Sequence, residues 1–184
     1  MKSKFFKHLS LVNRHRWQVF KNCCKCGLFW RGLMHDFSKY SRVEFGESVK
    51  YFDGKVSALD VSRKTNGYSL AWIHHKNKNK HHLEYWYDRE NEVQMNMPYK
   101  YAVECVCDKI AATKCYKGKD YKPEMVLEHW NRVGKHADTN DDMREFFSKV
   151  FSDLIEKGEK EILNKKYLKN TYNSIVLKLE EKND

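Results

Sequence analysis

Helix breakers are scarce in this chain. Two prolines and eight glycines are all that interrupt 184 residues, and so few breakers favour long helices over many short strands. The cleanest repeat is Met143, Phe146, Phe147, Val150, Phe151, Leu154 and Ile155, the 3.6-residue period of a helix that buries one face in a core. A second stripe runs through residues 4–22, with His8, Val12, His15 and Val19 on one side and Phe5 and Leu9 beside them. Further helices are expected over 28–47, over 68–75 with Tyr68, Ala71, Trp72 and His75 on one face, and from Pro98 to about Tyr116. Pro123 opens a short helix over 124–131, Thr139 or Asn140 caps another, and 162–181 is charged helical sequence. The stretches 51–67 and 87–94 read as loops. The expectation is an all-α, compact single-domain helical bundle over 1–184, with a site-bearing core over about 5–116 and a helical scaffold over about 123–181.

Within the second helical segment lies Gly32-Leu33-Met34-His35-Asp36-Phe37-Ser38-Lys39-Tyr40, a His-Asp dyad in apolar surroundings. Neighbouring side chains on a helix point about 100° apart and can converge on one metal ion. Lys39, three residues past Asp36 and four past His35, shares their face and places a positive charge there. An ionised carboxylate is too costly to bury alone, so Asp36 requires a metal, another cation or hydrogen-bond donors. His15 precedes the dyad on an inward face. His74, His75, His81 and His82 follow it, and of the first pair His75 is the inward one. His-rich short tracts point to metal. The lysines of the Lys76–His82 loop suit phosphate. Asp108 stands in a third apolar stripe with Tyr101, Cys105 and Ala112, one turn after Glu104, and two carboxylates that close call for a cation.

The net charge is +10, and residues 1–35 contain no Asp or Glu. Such a surface attracts nucleic acid, membrane headgroups or phosphorylated small molecules. No recognised nucleic-acid motif accompanies it, which ranks a basic nucleic-acid-binding protein last among the readings. There is no apolar run of about 18 residues to span a membrane, no apolar signal-peptide core after the basic Met1–Lys7, no Gly-rich phosphate loop and no GxSxG. Of the six cysteines, Cys23 and Cys26 form a Cys-x-x-Cys without the second pair a zinc ribbon needs. Reduced thiols in a cytoplasmic protein are the expectation.

With His15, His35-Asp36 and Asp108 on three successive helical elements, the ordered set His…His-Asp…Asp resembles the HD superfamily of metal-dependent phosphohydrolases over roughly residues 8–116. Those are all-helical proteins in which this set binds a divalent metal. His35-Asp36-Phe37-Ser38-Lys39 is similar to the His-Asp-x-Gly-Lys signature of the HD-GYP branch, with Ser38 in place of glycine. The GYP element itself is missing, so cyclic-di-GMP hydrolysis is not implied. More closely, the dyad segment together with Ala71-Trp72-Ile73-His74-His75, Asn79-Lys80-His81-His82 and Cys107-Asp108-Lys109-Ile110-Ala111-Ala112 resembles a family of small bacterial and phage proteins of unknown function, over most of the chain.

The resemblance implies that His15, His35, Asp36 and Asp108 ligate a first divalent ion and that His75 with His81 or His82 completes a second, Asp36 bridging the two. Mn, Fe, Co, Ni or Zn suits such donors better than Ca. It implies hydrolysis of a small phosphorylated substrate, a nucleotide or another small phosphoester, by metal-activated water. Lys39 and Lys80 would hold phosphate oxygens. HD nucleotidases often carry an acidic residue about one turn past the dyad, where this chain has Lys39; Glu44 or Glu104 is the substitute. The competing reading is a catalytically inactive nucleotide-binding or regulatory protein on the same scaffold.

Overall fold

A computed structural model describes residues 2–134 and 139–179. Its helices are α1 (Lys2–Lys25), α2 (Phe29–Met34), α3 (Arg42–Tyr51), α4 (Ala58–Asn66), α5 (Leu70–Lys78), α6 (Tyr99–Lys117), α7 (Glu124–Gly134), α8 (Asp141–Lys157), α9 (Glu159–Ile162) and α10 (Lys165–Ile175). A hairpin of two-residue strands, β1 (Tyr87–Asp88) and β2 (Val93–Gln94), and short 3-10 turns over Phe37–Tyr40, Leu83–Trp86 and Gly118–Asp120 complete the described elements. The all-α class follows.

α6 is the central helix. Val103, Val106, Cys107, Ile110 and Ala111 are all fully buried on it. α1 and α2 pack on it from one side, and α7 and α10 also meet it. α8 supplies the aromatic half of the core through Phe146, Phe147 and Phe151, with Trp130 of α7 against the last two. Its repeat is as the sequence requires, except that Ile155 is exposed. Asn140, not Thr139, caps α8 by accepting a hydrogen bond from the Met143 amide at 2.9 Å. Cys23, Cys26 and Cys107 are buried free thiols in this core, with the Cys26 and Cys107 sulfurs 3.8 Å apart.

Five local expectations fail. The helix expected over 28–47 is two helices, α2 and α3, separated by a 3-10 turn over Phe37–Tyr40. Asp36 breaks it by adopting left-handed backbone, φ +51°, which Asp tolerates better than most residues. The expected loop 51–67 contains α4. That helix buries Ala58 and Ser62 rather than a stripe of large apolar residues, so periodicity misses it. Tyr68 is exposed and lies before α5, whose inward face is Ala71 and His75. Finally, the stretch 87–94 forms the small hairpin. The helix expected over 162–181 breaks at Leu163–Asn164 and restarts as α10, capped by the Asn164 side chain; residues 180–181 lie outside the described ones.

His8, on the inner side of α1, is buried against the rings of Phe45 and Phe52, at 5.1 and 5.3 Å. Burial first, and the Lys39 charge second, lower its imidazole from 6.5 to about 4. Between those values the unfolded chain binds a proton that the folded chain does not. The stability owed to neutral His8 is therefore complete above about pH 6.5 and is lost as pH falls toward 4. His8→Phe is expected to flatten the stability–pH curve in that window, as followed by urea unfolding. An unchanged slope would assign the acid sensitivity elsewhere.

Candidate metal centre

The dyad lies at a backbone corner rather than on a helix. α2 ends at Met34, His35 is the first residue outside it, and Asp36 turns the chain. The Arg16 guanidinium of α1 fixes this corner, donating to the carbonyls of His35 at 2.7 Å and Leu33 at 2.9 Å and to the Tyr40 hydroxyl at 3.0 Å. Ser41 then caps α3 by accepting from the Glu44 amide, which sets Glu44 in the first turn and buries it.

Six side chains converge on Asp36. His15 Nε2 of α1 is 3.6 Å from Asp36 Oδ2 and 3.0 Å from Asp108 Oδ1 of α6. His35 Nε2 is 3.2 Å from Asp36 Oδ2 and 3.5 Å from Asp108 Oδ1. On the other carboxylate oxygen, His75 Nε2 of α5 and His81 Nε2 lie 3.4 and 3.5 Å from Asp36 Oδ1. Two groups of potential ligands result, His15/His35/Asp36/Asp108 and Asp36/His75/His81/His82, each with its ligand atoms within 4.8 Å of one another. His81 and His82 both belong, because the chain turns back after α5 with the His82 amide bonded to the Asn79 carbonyl and the Trp86 indole bonded to the Lys80 carbonyl.

The donors fit a transition ion. Ligand atoms about 2.1 Å from a common metal lie about 3.0 Å apart at right angles and about 3.4 Å apart at tetrahedral angles. The separations above, 3.0 to 3.6 Å, cover that range. Buried Nε2 atoms of His15, His35, His81 and His82, and both oxygens of Asp36, make no hydrogen bond of good geometry within the protein, which is costly unless something else satisfies them.

Two buried glutamates hold the rings from behind. Glu104 Oε1 hydrogen-bonds with His35 Nδ1 at 3.0 Å and lies 3.3 Å from His81 Nδ1 without hydrogen-bond geometry, while Arg31 grips its other oxygen. Glu44 meets His75 Nδ1 at 2.8 Å and His74 Nδ1 at 2.7 Å. A carboxylate on Nδ1 fixes the tautomer and turns Nε2 toward the metal position. His35, His81 and Glu104 also form a potential ligand group of their own, but the guanidinium already on Glu104 favours the supporting role. His74 belongs to neither large group. Glu104 and Asp108 reach His35 from opposite sides, at its Nδ1 and its Nε2.

The electrostatics are tightly coupled. Burial works against the charges of Asp36 and Asp108, yet His35, Lys39 and His75 around the first, and His15 and His35 around the second, hold both carboxyls well below the usual range. Burial and Lys39 depress His15, but the Asp108 and Asp36 carboxylates beside it outweigh them and raise it to about 9. Burial lowers His81 and His82, reinforced by neighbouring imidazoles, favouring the neutral form that ligates metals. Lys39 Nζ contacts Asp36 Oδ2 and stays partly exposed. Lys80 is placed differently, its ammonium over the rings of Tyr85 and Tyr101 at 5.3 and 6.0 Å.

Fold and geometry together define an all-α protein with a buried histidine–carboxylate cluster able to hold a metal ion. Residues 4–156 match the model of a family of unknown function, DUF5662, and the chain belongs to that family. No curated protein and no solved structure matches it.

Proposed function

We propose that this protein is a metal-dependent phosphohydrolase of HD type, acting on a nucleotide or another small phosphoester. The observation that carries the reading is the sharing of Asp36 between two histidine-rich ligand groups, one oxygen toward each. His15, His35, Asp36 and Asp108 would hold one ion, and Asp36, His75, His81 and His82 a second. When bound, such ions supply Lewis acidity and a water acidified to near neutrality. The remaining work falls to the chain. Lys39, partly exposed beside Asp36, attracts a phosphate oxygen and offsets negative charge that grows as the ester breaks. Glu44 and Glu104 keep the imidazoles oriented, so Glu44 serves here as a positioning residue rather than the proton donor. Lys80 meets phosphate only at the rim, outside contact with the dyad.

Lys39 also favours a second reading. It occupies the place of the acidic group expected after the dyad and pairs with Asp36, as in a scaffold that binds nucleotides without cleaving them. A panel of nucleotides and phosphoesters, incubated with protein loaded with Mn, Fe, Co, Ni or Zn, separates the two. Release of phosphate or nucleoside that stops on chelation and returns on reloading is the expected result. A nucleotide complex that persists unhydrolysed with metal present would instead establish the binding protein.

A further inference from the structure

α2 presents its apolar side chains to solvent, and Gly32 is the reason. A Cβ there would lie 2.7 Å from Cys23 Cβ and 3.1 Å from the Phe20 backbone, so α2 rests on α1 through the one residue without a side chain. Phe29, Trp30, Leu33 and Met34 are left on the outer side, Trp30 74% exposed. α1 continues this surface. Trp17, 60% exposed, stacks on Phe20, whose ring meets Phe29. Phe6 is exposed too, eleven residues before Trp17, and eleven residues close about three helical turns, so both sit on one line of α1.

A cationic row runs beside the apolar one. Lys7, Arg14 and Lys21 are exposed and recur every seven residues, nearly two turns, so they too form a line. From Phe6 to Lys21 the double row is about 22 Å long. The acid-free segment 1–35 contains all of it.

We propose that the α1–α2 face docks onto an anionic lipid surface, with α1 in the plane of the interface and the apolar side chains of α2 dipping among the acyl chains. An apolar row flanked by lysine and arginine, with tryptophan between, is the pattern of helices that lie in a membrane interface. Complementarity requires an anionic occupant. A second copy docked face to face would set two acid-free cationic rows against each other, which is unfavourable. No helix among the described residues is long and apolar enough to cross a membrane, so attachment is peripheral. It is independent of the metal reading.

The test is co-sedimentation of the full chain with vesicles of phosphatidylcholine alone and of phosphatidylcholine mixed with phosphatidylglycerol. Binding to the mixed vesicles, weakened by salt, with a blue shift of tryptophan emission, is expected. Trp30→Ala should weaken partitioning roughly tenfold, and the double variant Lys7→Glu/Lys21→Glu should abolish it, both with unchanged circular dichroism. Equal binding to neutral and anionic vesicles, no binding to either, or wild-type partitioning by Trp30→Ala overturns the proposal. So does a lipid-free dimer that Trp30→Ala converts to monomer, which would give the face to a second copy.

Discussion

Asp36→Ala is expected to empty both ligand groups at once. Asp36 is the only residue common to the two four-membered groups among the described residues, and each of its oxygens faces a different set of imidazoles. Elemental analysis of tag-free protein should find divalent metal in the wild type and little in the variant. Phosphoester turnover should fall about a thousandfold or more, since ions that polarise the ester and acidify water supply several kcal/mol of transition-state stabilisation. The corner is a bend between α2 and a 3-10 turn, not the middle of a helix, so helical circular dichroism should survive. Asp36→Asn, which keeps the shape and removes the charge, controls for packing. Full metal content in both variants would make the dyad a structural ion-pair network centred on Lys39, and the hydrolase reading would fall with it.

The two supporting glutamates should separate by which rings they hold. Glu104 touches one histidine from each group, His35 and His81, whereas Glu44 touches His75 of one group alone. Glu104→Gln is therefore expected to weaken both metal positions, and Glu44→Gln only that of His75, by about 10- to 100-fold each. Titration of the metal-free protein with Co, followed by its visible absorption, would read the two affinities. Glu104→Gln should also lower stability, because it removes the charge partner of Arg31, and breaking such a buried pair from one side costs about 3–5 kcal/mol. Arg31 is one-third exposed, so the lower end applies. Equal weakening of both positions by Glu44→Gln would mean that the two groups act as one unit.

The residues that meet at the centre could be read from the sequence for a simple reason. Histidines and aspartates on apolar faces are costly to bury, so His15, Asp36 and Asp108 stand out against their stripes. His75 could be preferred to His74 because Ala71, one turn earlier, marks its side as inward. What periodicity does not carry is backbone. It registers side chains at helical spacing, so His35 and Asp36 read as neighbours on a helix although φ +51° at Asp36 turns the chain between α2 and α3. α4 escaped for the opposite reason: its inward Ser62 is satisfied by a hydrogen bond to Glu47, leaving no large apolar residue to signal burial. Arg16 and Arg31 were invisible as site residues. An arginine reveals what it holds only when the carbonyls of His35 and Leu33, or the carboxylate of Glu104, have been brought to it by the fold.

The ligands of the centre come from α1, the corner after α2, α5, the turn that follows it and α6, spread from His15 to Asp108. An unfolded chain cannot gather donors so far apart in sequence, so an ion that binds here recognises the folded state alone. Metal affinity is thereby converted into resistance to unfolding: free ion at a hundredfold excess over its dissociation constant adds about 2.7 kcal/mol, a large share of what holds a domain of this size together. Were the centre loaded in the cell, the supply of the ion would set the share of chains that are folded, and with it the standing of every surface the helices build.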